Sequence, residues 1–207
     1  MRSNRSLILL ISAPSGAGKT TVSQGLLANN PDLCRVITCT SRAPRLGEKN
    51  GVDYHFLTRA VFLQRIEQGD FLEHADVYGD LKGILKDSVA ELLQSGADVL
   101  LNIDVQGAAT IRTVIAQDPQ LVGSLVTLFI TPATRVELEN RLRGRDTDTE
   151  EALTRRLATA SSEVISWTDY DYLVLSGSRE EDLARVQAIY SAEKLRASRH
   201  SFQWTLP

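Results

Sequence analysis

The sequence is poor in the residues that build disulfide, metal or membrane proteins. Its 207 residues include only two cysteines, and its three histidines are scattered without the spacing of metal ligands. Cys34 and Cys39 therefore indicate reduced thiols in a core or strand. No apolar run approaches the length of a membrane span. The formal net charge of −3 argues against a nucleic-acid coat protein. We expect a cytoplasmic protein with no nucleic-acid or membrane partner.

The chain also lacks internal repeats and low-complexity linkers. Arg2 and Arg5 precede an apolar run, as in a signal peptide, but the run is too short and leads directly into a glycine-rich turn. The hydrophobic fraction of 43% and the charged fraction of 24% are ordinary for a globular protein. The length and composition therefore predict a single globular domain.

The most informative stretch is Leu7–Thr21, LILLISAPSGAGKTT. Leu7–Ser12 is typical of a short buried strand, and a glycine-rich turn separates it from a helical segment. This order matches the phosphate-binding P-loop, G-x-x-x-x-G-K-[ST], except that Ala13 replaces the first glycine. A chance glycine-rich turn is the alternative. The Gly-Lys-Thr sequence at the expected distance from the strand favours the P-loop.

A P-loop binds phosphate through its backbone. Gly16 and Gly18 would let successive N–H groups surround phosphate oxygens, and the helix N-terminus adds partial positive charge. Lys19 would contact the β- and γ-phosphates, and the Thr20 hydroxyl would ligate Mg²⁺. The predicted ATP-binding residues are Ala13, Pro14, Ser15, Gly16, Ala17, Gly18, Lys19, Thr20 and Thr21.

Strands and helices alternate along the rest of the chain. This alternation predicts an α/β protein with a parallel sheet covered by helices on both faces, and a binding crevice at the carboxyl ends of the strands. Arg35–Thr40 is rich in β-branched residues and is predicted as one strand. Gly79–Gly83 is predicted as a turn. Pro132 is predicted as the first residue of a helix, with Thr131 as its N-cap.

Six blocks of sequence, spread over nearly the whole chain, resemble the guanylate kinase family. Besides SAPSGAGKT they are TSRAPRLGEKNGVDYHF (Thr40–Phe56), FLEHADVYG (Phe71–Gly79), NIDVQGA (Asn102–Ala108), RLRGRDTDTEEALTRRL (Arg141–Leu157) and DYDYLV (Asp169–Val174). The resemblance implies an α/β, three-layer P-loop kinase fold with a central parallel sheet, an inserted GMP-binding subdomain and a mobile lid. The implied core is 1–34, 97–140 and 158–207, with the GMP-binding subdomain at about 35–96 and the lid at about 141–157.

The activity implied by the resemblance is direct in-line phosphoryl transfer from ATP to GMP or dGMP, with Mg²⁺ as cofactor. Arg42 and Arg45 flank a proline turn, and guanidinium groups suit a monophosphate. Without the resemblance they would indicate a solvated basic loop. The family binds the GMP phosphate at these positions and at the position of Tyr54, and assigns guanine recognition to the positions of Thr38 and Glu73. The predicted GMP-binding residues are Thr38, Arg42, Arg45, Tyr54, Glu73, Lys82 and Asp104.

The chemistry of guanine fits a carboxylate at position 73. Glu73 would accept hydrogen bonds from the guanine N1–H and 2-amino groups, and adenine offers neither donor. Asp104 ends a predicted central strand. It would contact Mg²⁺ through water or the acceptor nucleotide, or it would merely cap the next helix.

Three arginines fit the lid of the family and the helix beside it. Arg141, Arg145 and Arg156 would fold over the ATP phosphates and neutralise charge in the transition state. A surface helix rich in arginine is the alternative. Together with the two residues already assigned to the phosphates, the predicted catalytic set is Lys19, Arg42, Arg141, Arg145 and Arg156.

Four stretches depart from the pattern of the family. Lys82-Gly83-Ile84 stands where the family usually has Tyr-Gly-Thr or Tyr-Gly-Ser, so Ile84 cannot supply the hydroxyl that contacts guanine O6. Asn102 replaces an aspartate, Asp146 replaces a glycine, and Ser176-Gly177 replaces Asn-Asp. The donor machinery is therefore complete, while both base-binding regions are altered.

Three functions remain open at this stage. The first, which we favour, is a guanylate kinase with a modified acceptor pocket. The second is a P-loop kinase for another nucleoside monophosphate or a phosphorylated metabolite, against which Arg42, Arg45, Tyr54 and Glu73 argue. The third is a non-catalytic binding module, against which Lys19 and the lid arginines argue. The expected partners are ATP and GMP. A homo-oligomer is left open.

Overall fold

A computed structural model describes residues 5–77, 79–143 and 150–201, with the backbone alone for 150–153. The strands within these ranges are β1 (Ile8–Ser12), β2 (Leu33–Arg35), β3 (Cys39–Thr40), β4 (His55–Phe56), β5 (Phe71–Val77), β6 (Asp80–Leu85), β7 (Asp98–Asn102), β8 (Leu125–Pro132) and β9 (Tyr172–Ser176). The helices are α1 (Lys19–Asn29), α2 (Arg59–Glu67), α3 (Lys86–Gln94), α4 (Val105–Gln117), α5 (Arg135–Arg143), α6 (Glu150–Val164) and α7 (Arg179–Lys194).

The larger sheet has the order β2-β7-β1-β8-β9, and all of its pairs are parallel. All five residues of β1 are buried, since helices cover both faces of the sheet. Leu9 faces a core shared with Leu26 of α1 and Val186 of α7. Leu10 faces the opposite core, which it shares with Ile111 of α4. The predicted α/β architecture with a central parallel sheet is confirmed.

A smaller sheet, with the order β4-β3-β6-β5, lies between β2 and β7 in the chain. Its β3–β6 and β5–β6 pairs are antiparallel. Helix α2 covers it, with Thr58 accepting a hydrogen bond from the backbone N–H of Val61 as N-cap. Phe62 of α2 stacks on Phe71 with ring centroids 4.4 Å apart. The smaller sheet thus has its own apolar contacts, and the boundaries of a GMP-binding subdomain and of a lid stay predictions.

Three local predictions are wrong. The predicted strand Arg35–Thr40 is divided, because β2 pairs in the larger sheet and β3 in the smaller one. The predicted turn Gly79–Gly83 contains most of β6, which pairs with β5 from Asp80 onward. Thr131 and Pro132 extend β8 and do not begin a helix. Strand β1 pairs with β8 only as far as Phe129, so the proline stands where one side of β8 has no partner strand.

Two further expectations concern membranes and cysteines. Among the helices that the structure describes, none has the length and apolarity required to cross a membrane. Cys34 and Cys39 are free thiols, as expected. Burial raises the pKa of the Cys39 thiol to about 11, which makes it a poor nucleophile at neutral pH.

Candidate active site

The loop between β1 and α1 has the backbone conformation that its glycines allow. Gly16 and Gly18 have φ angles of 92° and 93°, in the left-handed region that disfavours other residues. A Cβ on Gly16 would also lie 2.9 Å from Cδ2 of Leu142, so α5 packs directly on the loop. A Cβ on Gly18, the N-cap of α1, would meet nothing within 4 Å. Open space therefore lies at the N-terminus of α1, where an anion is favoured.

Lys19 lines this space. Its Nζ donates to the carbonyl oxygen of Ile103 at 2.9 Å, just beyond the end of β7. Burial lowers the pKa of Lys19, and the nearby carboxylates of Asp104 and Glu163 oppose that shift. A partly desolvated ammonium group gains from a phosphate beside it, because the phosphate replaces interactions lost with water.

The residues of the loop line a cavity of about 330 Å³. The protein groups around it are Ala13, Pro14, Ser15, Gly16, Ala17, Gly18, Lys19, Thr20, Thr21, Asp104 and Glu163. The structure thus brings together every residue predicted to bind ATP. Glu163 is the addition: it lies near the end of α6, distant in sequence, and no motif identifies it.

The cavity also offers oxygen ligands suited to Mg²⁺. Thr20 and Asp104 are exposed on its wall, and hydroxyl and carboxylate oxygens are the donors that this ion prefers. Within the described ranges, no group of three His, Cys, Asp or Glu side chains could hold a metal by itself. This donor set fits an ion that is carried mainly by phosphate oxygens and water.

Asp104 is the N-cap of α4, which is one of the roles predicted for it from its position at the end of a strand. Its Oδ1 accepts a hydrogen bond from the backbone N–H of Gly107 at 2.8 Å. Its charge also acts on both sides of the site. It raises the pKa of Glu73 on β5 and of Glu163 on α6, and it opposes the lowering of the pKa of Lys19.

Glu73 is half-buried against the first turn of α4. Burial is the main cause that raises its pKa to about 7, and Asp104 adds to the shift. A Cβ on Gly107 would lie 3.2 Å from Cγ and Cδ of Glu73, and 2.5 Å from Cγ2 of Ile103. Gly107 therefore provides the room for the carboxyl group of Glu73. The sequence block NIDVQGA contains this glycine but does not reveal what it faces.

Arg42 forms an ion pair with Glu48 in the loop after β3. Its Nη1 and Nη2 donate to the two carboxylate oxygens of Glu48 at 2.6 and 2.7 Å. Glu48 also accepts from the backbone N–H of Arg45 at 2.7 Å. These hydrogen bonds, that from Arg42 first, lower the pKa of Glu48 to about 2. The Arg42 guanidinium carbon lies 5.1 Å from the ring centroid of Tyr54, and the Arg45 side chain is exposed.

The remaining predicted acceptor residues lie on or beside the smaller sheet. Ile84 pairs with Glu73 and Lys82 pairs with Ala75 across β5 and β6, so Ile84 and Lys82 share one face with Glu73. Lys82 is half-buried. Ile84 is only 4% exposed. It packs in the same core as Leu10 of β1 and Ile111 of α4. Thr38 precedes β3, where its carbonyl oxygen accepts from the backbone N–H of His55.

Neither of the two predicted lid arginines that the structure describes, Arg141 and Arg156, lines the phosphate cavity. Arg141 of α5 donates to Ser176 Oγ at 2.7 Å, to the Gly177 carbonyl at 3.2 Å and to Glu137. It therefore lies against the end of β9. Arg156 is exposed on α6, and Arg145 lies outside the described residues. The catalytic roles of these arginines stay predictions.

A parallel sheet whose central strand continues through a glycine-rich loop into a helix defines a P-loop α/β protein. Comparison with known proteins narrows this class. The family model described as guanylate kinase matches residues 4–193. The guanylate kinase of Paramagnetospirillum magneticum is 43% identical over 95% of this chain and 89% of its own length. That of Anaeromyxobacter dehalogenans is 45% identical over 96% of this chain and 84% of its own length.

A solved structure agrees with the sequence comparisons. The crystal structure of guanylate kinase from Anaplasma phagocytophilum superimposes with a TM-score of 0.70 at 30% sequence identity. The match covers 96% of this chain and 90% of that one. The chain belongs to the guanylate kinase family.

Proposed function

We propose that this protein is an ATP:GMP phosphotransferase, which converts GMP, and dGMP, to the diphosphate by direct in-line transfer of the γ-phosphoryl group of ATP. The observation that carries the proposal is the convergence of two regions on Asp104. Asp104 lines the phosphate cavity together with Lys19, and it accepts the backbone N–H of Gly107, the glycine that faces the carboxyl group of Glu73. Two sites of different chemistry therefore adjoin, as a transfer between two nucleotides requires.

The donor side of the mechanism rests on the loop. The N–H groups around Gly16 and Gly18 and the N-terminus of α1 bind the ATP phosphates, and Lys19 exchanges the Ile103 carbonyl for a phosphate oxygen. This exchange satisfies a buried ammonium group by a stronger, charged partner. Arg141, Arg145 and Arg156 close over the phosphates in this proposal, which requires Arg141 to leave Ser176.

The acceptor side rests on Arg42, Arg45 and Tyr54 for the phosphate and on Glu73 for the base. Glu48 holds the guanidinium group of Arg42 in one orientation through two hydrogen bonds. The arginine therefore loses less conformational entropy when it binds the GMP phosphate. Ionised Glu73 accepts from the guanine N1–H and 2-amino groups. AMP has neither an N1–H nor a 2-amino group, so it would leave the Glu73 carboxylate unpaired and would bind more weakly than GMP. Thr38 and Lys82 border the same region in this proposal.

Mg²⁺ is the proposed cofactor, with Thr20 as a direct ligand and Asp104 acting through water. When bound with ATP, the ion neutralises charge that develops on the transferred phosphoryl group. ATP and GMP are the proposed partners. A homo-oligomer, the lack of nucleic-acid and membrane partners and a cytoplasmic location stay predictions.

The test is ADP formation from ATP and Mg²⁺ with GMP, dGMP, AMP, CMP and UMP offered separately. Turnover with GMP and dGMP alone is the expected result. Turnover confined to another acceptor would assign the chain to a different monophosphate kinase. ATP binding without turnover of any acceptor would contradict the proposal and favour a binding module.

A further inference from the structure

Three acceptors hold the guanidinium group of Arg141 at the end of β9. Its Nη1 donates to Oγ of Ser176 at 2.7 Å. Its Nη2 donates to the carbonyl oxygen of Gly177 at 3.2 Å and to the carboxylate of Glu137. Ser176 is the last residue of β9 and is buried. Arg141 is therefore bound to the sheet, and it does not line the phosphate cavity.

A buried carboxylate is the second partner of Ser176. Asp182, in the first turn of α7, is only 4% exposed. Its Oδ2 accepts from the Ser176 hydroxyl, and its Oδ1 accepts from the backbone N–H of Gly177 at 2.7 Å. A carboxylate only accepts and a guanidinium group only donates, so the single proton of Ser176 lies towards Asp182 and its lone pairs face Arg141. The three side chains form one chain of hydrogen bonds, in which each bond strengthens the next.

The turn between β9 and α7 is held in place by contacts of its own. Ser178 and Glu181 form a capping box at the start of α7. A Cβ on Gly177 would lie 2.3 Å from Oε2 of Glu181, so this position fits only a glycine. Arg185 donates to the carbonyl oxygen of Leu175 at 2.6 Å. The acceptors of Arg141 are therefore fixed before any nucleotide binds.

The backbone of Arg141 nevertheless lies beside the phosphate loop. The next residue of α5, Leu142, has its Cδ2 atom 2.9 Å from the position of a Cβ on Gly16. Leu138, one turn earlier, lines the same contact at 3.7 Å. A long side chain at position 141 approaches bound phosphates through a change of rotamer, with α5 in place, once it leaves Ser176.

We propose that Ser176 and Asp182 are a latch for Arg141, which keeps its guanidinium group away from the phosphates of ATP until the nucleotide displaces it. The inference rests on the proposed function, in which Arg141 binds these phosphates. Ser176 and Asp182 are positioning residues, because they act on ATP only through Arg141. The latch lowers the affinity for ATP, since binding requires the fraction of molecules in which Arg141 is free.

The experiment removes the latch and leaves the arginine. Ser176→Ala removes the acceptor, and Asp182→Asn removes the charge behind it and places an amide donor against the Ser176 oxygen. Both are made in the wild type and in Arg141→Ala. Affinity for ATP with Mg²⁺ is measured by calorimetry, the KM values for ATP and GMP by turnover, and the melting temperature by circular dichroism.

Thr127→Val is the matched control. The Thr127 hydroxyl is also buried and also donates to a carboxylate, that of Asp171, at 2.8 Å. The register of β8 and β9 places this pair at the end of the two strands opposite to Ser176. Its loss should lower the melting temperature and leave the affinity for ATP within about twofold of the wild type, because it does not release Arg141.

We expect Ser176→Ala to bind ATP about three- to tenfold more tightly and Asp182→Asn about threefold more tightly, with an unchanged KM for GMP. In Arg141→Ala, the same two substitutions should change the affinity for ATP by less than about twofold, since no arginine remains to be released.

Unchanged or weaker binding of ATP by Ser176→Ala would overturn the inference. So would an equal increase in affinity in the Arg141→Ala background, because Ser176 would then act on the nucleotide without the arginine. An equal increase in Thr127→Val would also overturn it, since any loosening of the sheet would have the same effect. If Ser176→Ala does not fold, Asp182→Asn decides by the same criteria.

The same titrations separate this inference from the proposed function. A wild-type protein that does not bind ATP at all would overturn both. A wild-type protein that binds ATP but phosphorylates no GMP would overturn the proposed function alone. In that case the ATP affinities of the Ser176 and Asp182 variants, with and without Arg141, would still decide whether the latch exists.

Discussion

The phosphate loop and the smaller sheet present their side chains in different ways. The loop is one continuous stretch, and its conformation follows from its own glycines and from the strand and helix on either side of it. The proposed acceptor region combines residues from five separate stretches of chain, and Glu73 takes its place only because Gly107 leaves room for it. A site built locally is visible in a sequence, whereas a site built by tertiary contacts is not.

The phosphate loop and the smaller sheet also differ in the charge of their partly buried side chains. On the donor side a partly buried cation, Lys19, donates to a carbonyl oxygen and lies near two carboxylates. On the acceptor side the half-buried carboxyl group of Glu73 has a second carboxylate, Asp104, near it, and burial and this charge both raise its pKa. Each region thus favours a ligand of complementary character, a polyphosphate in the first and a hydrogen-bond donor in the second.

The largest expected effect is on the donor side. Lys19→Ala should lower kcat/KM for the reaction of ATP with GMP by about a hundredfold or more, because it removes the positive charge beside the phosphates. The circular dichroism spectrum and melting temperature should change little. Turnover measured alongside these two controls checks the prediction, and near-normal activity would remove Lys19 from the donor site.

The second effect concerns the base. Glu73→Gln should raise the KM for GMP by about ten- to a hundredfold and narrow the preference for GMP over AMP, because the amide offers one acceptor where the carboxylate offers two. The KM for ATP should not move. Steady-state kinetics with both acceptors measures the ratio. An unchanged ratio would exclude Glu73 from base recognition.

The third effect separates the position of Glu73 from its chemistry. Gly107→Ala places a methyl group against Glu73 and Ile103, so the carboxyl group must move. We expect the KM for GMP to rise about tenfold and the melting temperature to fall by several degrees. The double variant Gly107→Ala, Ile103→Ala relieves the closer contact. Measured against Ile103→Ala alone, the double variant should show little further loss of stability but a similar rise in the KM for GMP, and an unchanged KM would show that Gly107 acts through Ile103 alone.

The fourth effect is a pH dependence. The pKa of Glu73 is raised to about 7, and only the ionised form accepts both guanine donors. The KM for GMP should therefore rise about tenfold as the pH falls from 8 to 6. Because the phosphate of GMP also titrates in this range, Glu73→Gln is the control and should show a flatter profile. Parallel profiles in the two proteins would contradict the assignment.

The smallest effect concerns the loop that carries Arg42. Glu48→Gln keeps one hydrogen bond to Arg42 but removes the charge, and should raise the KM for GMP about threefold. High salt should reduce the difference between the two proteins. Asp53→Asn, a change of the same kind in the same loop that leaves the Arg42 pair intact, is the matched control.

The sequence predicted the larger sheet and the phosphate loop because both are encoded by local patterns. The apolar run of β1, the glycines and Lys19 lie within 15 residues, and the structure brings them together as expected. Strand β6 was missed because Gly79 and Gly83 suggested a turn, while pairing with β5 decided the outcome. Pro132 was misplaced for a similar reason, since only the ends of β1 and β9 show that β8 continues.

Glu163 and Glu48 could not be identified from the sequence. Each is an ordinary charged residue of a polar segment, and its significance lies in a partner that the fold supplies. For Glu48 the partner is Arg42, six residues away; Glu163 lines the cavity of the phosphate loop, which lies near the other end of the chain. The departure at Ile84 is clear in the sequence, but its burial in the core required the structure.

The most direct test of this division between two regions is a crossed binding titration. ATP with Mg²⁺ and GMP are titrated separately into the wild type, Lys19→Ala and Glu73→Gln. We predict that Lys19→Ala loses ATP affinity and keeps GMP affinity, and that Glu73→Gln does the reverse. If either substitution weakens both nucleotides equally, or if Glu73→Gln weakens ATP alone, then the loop and the smaller sheet do not bind separate nucleotides and the account is contradicted.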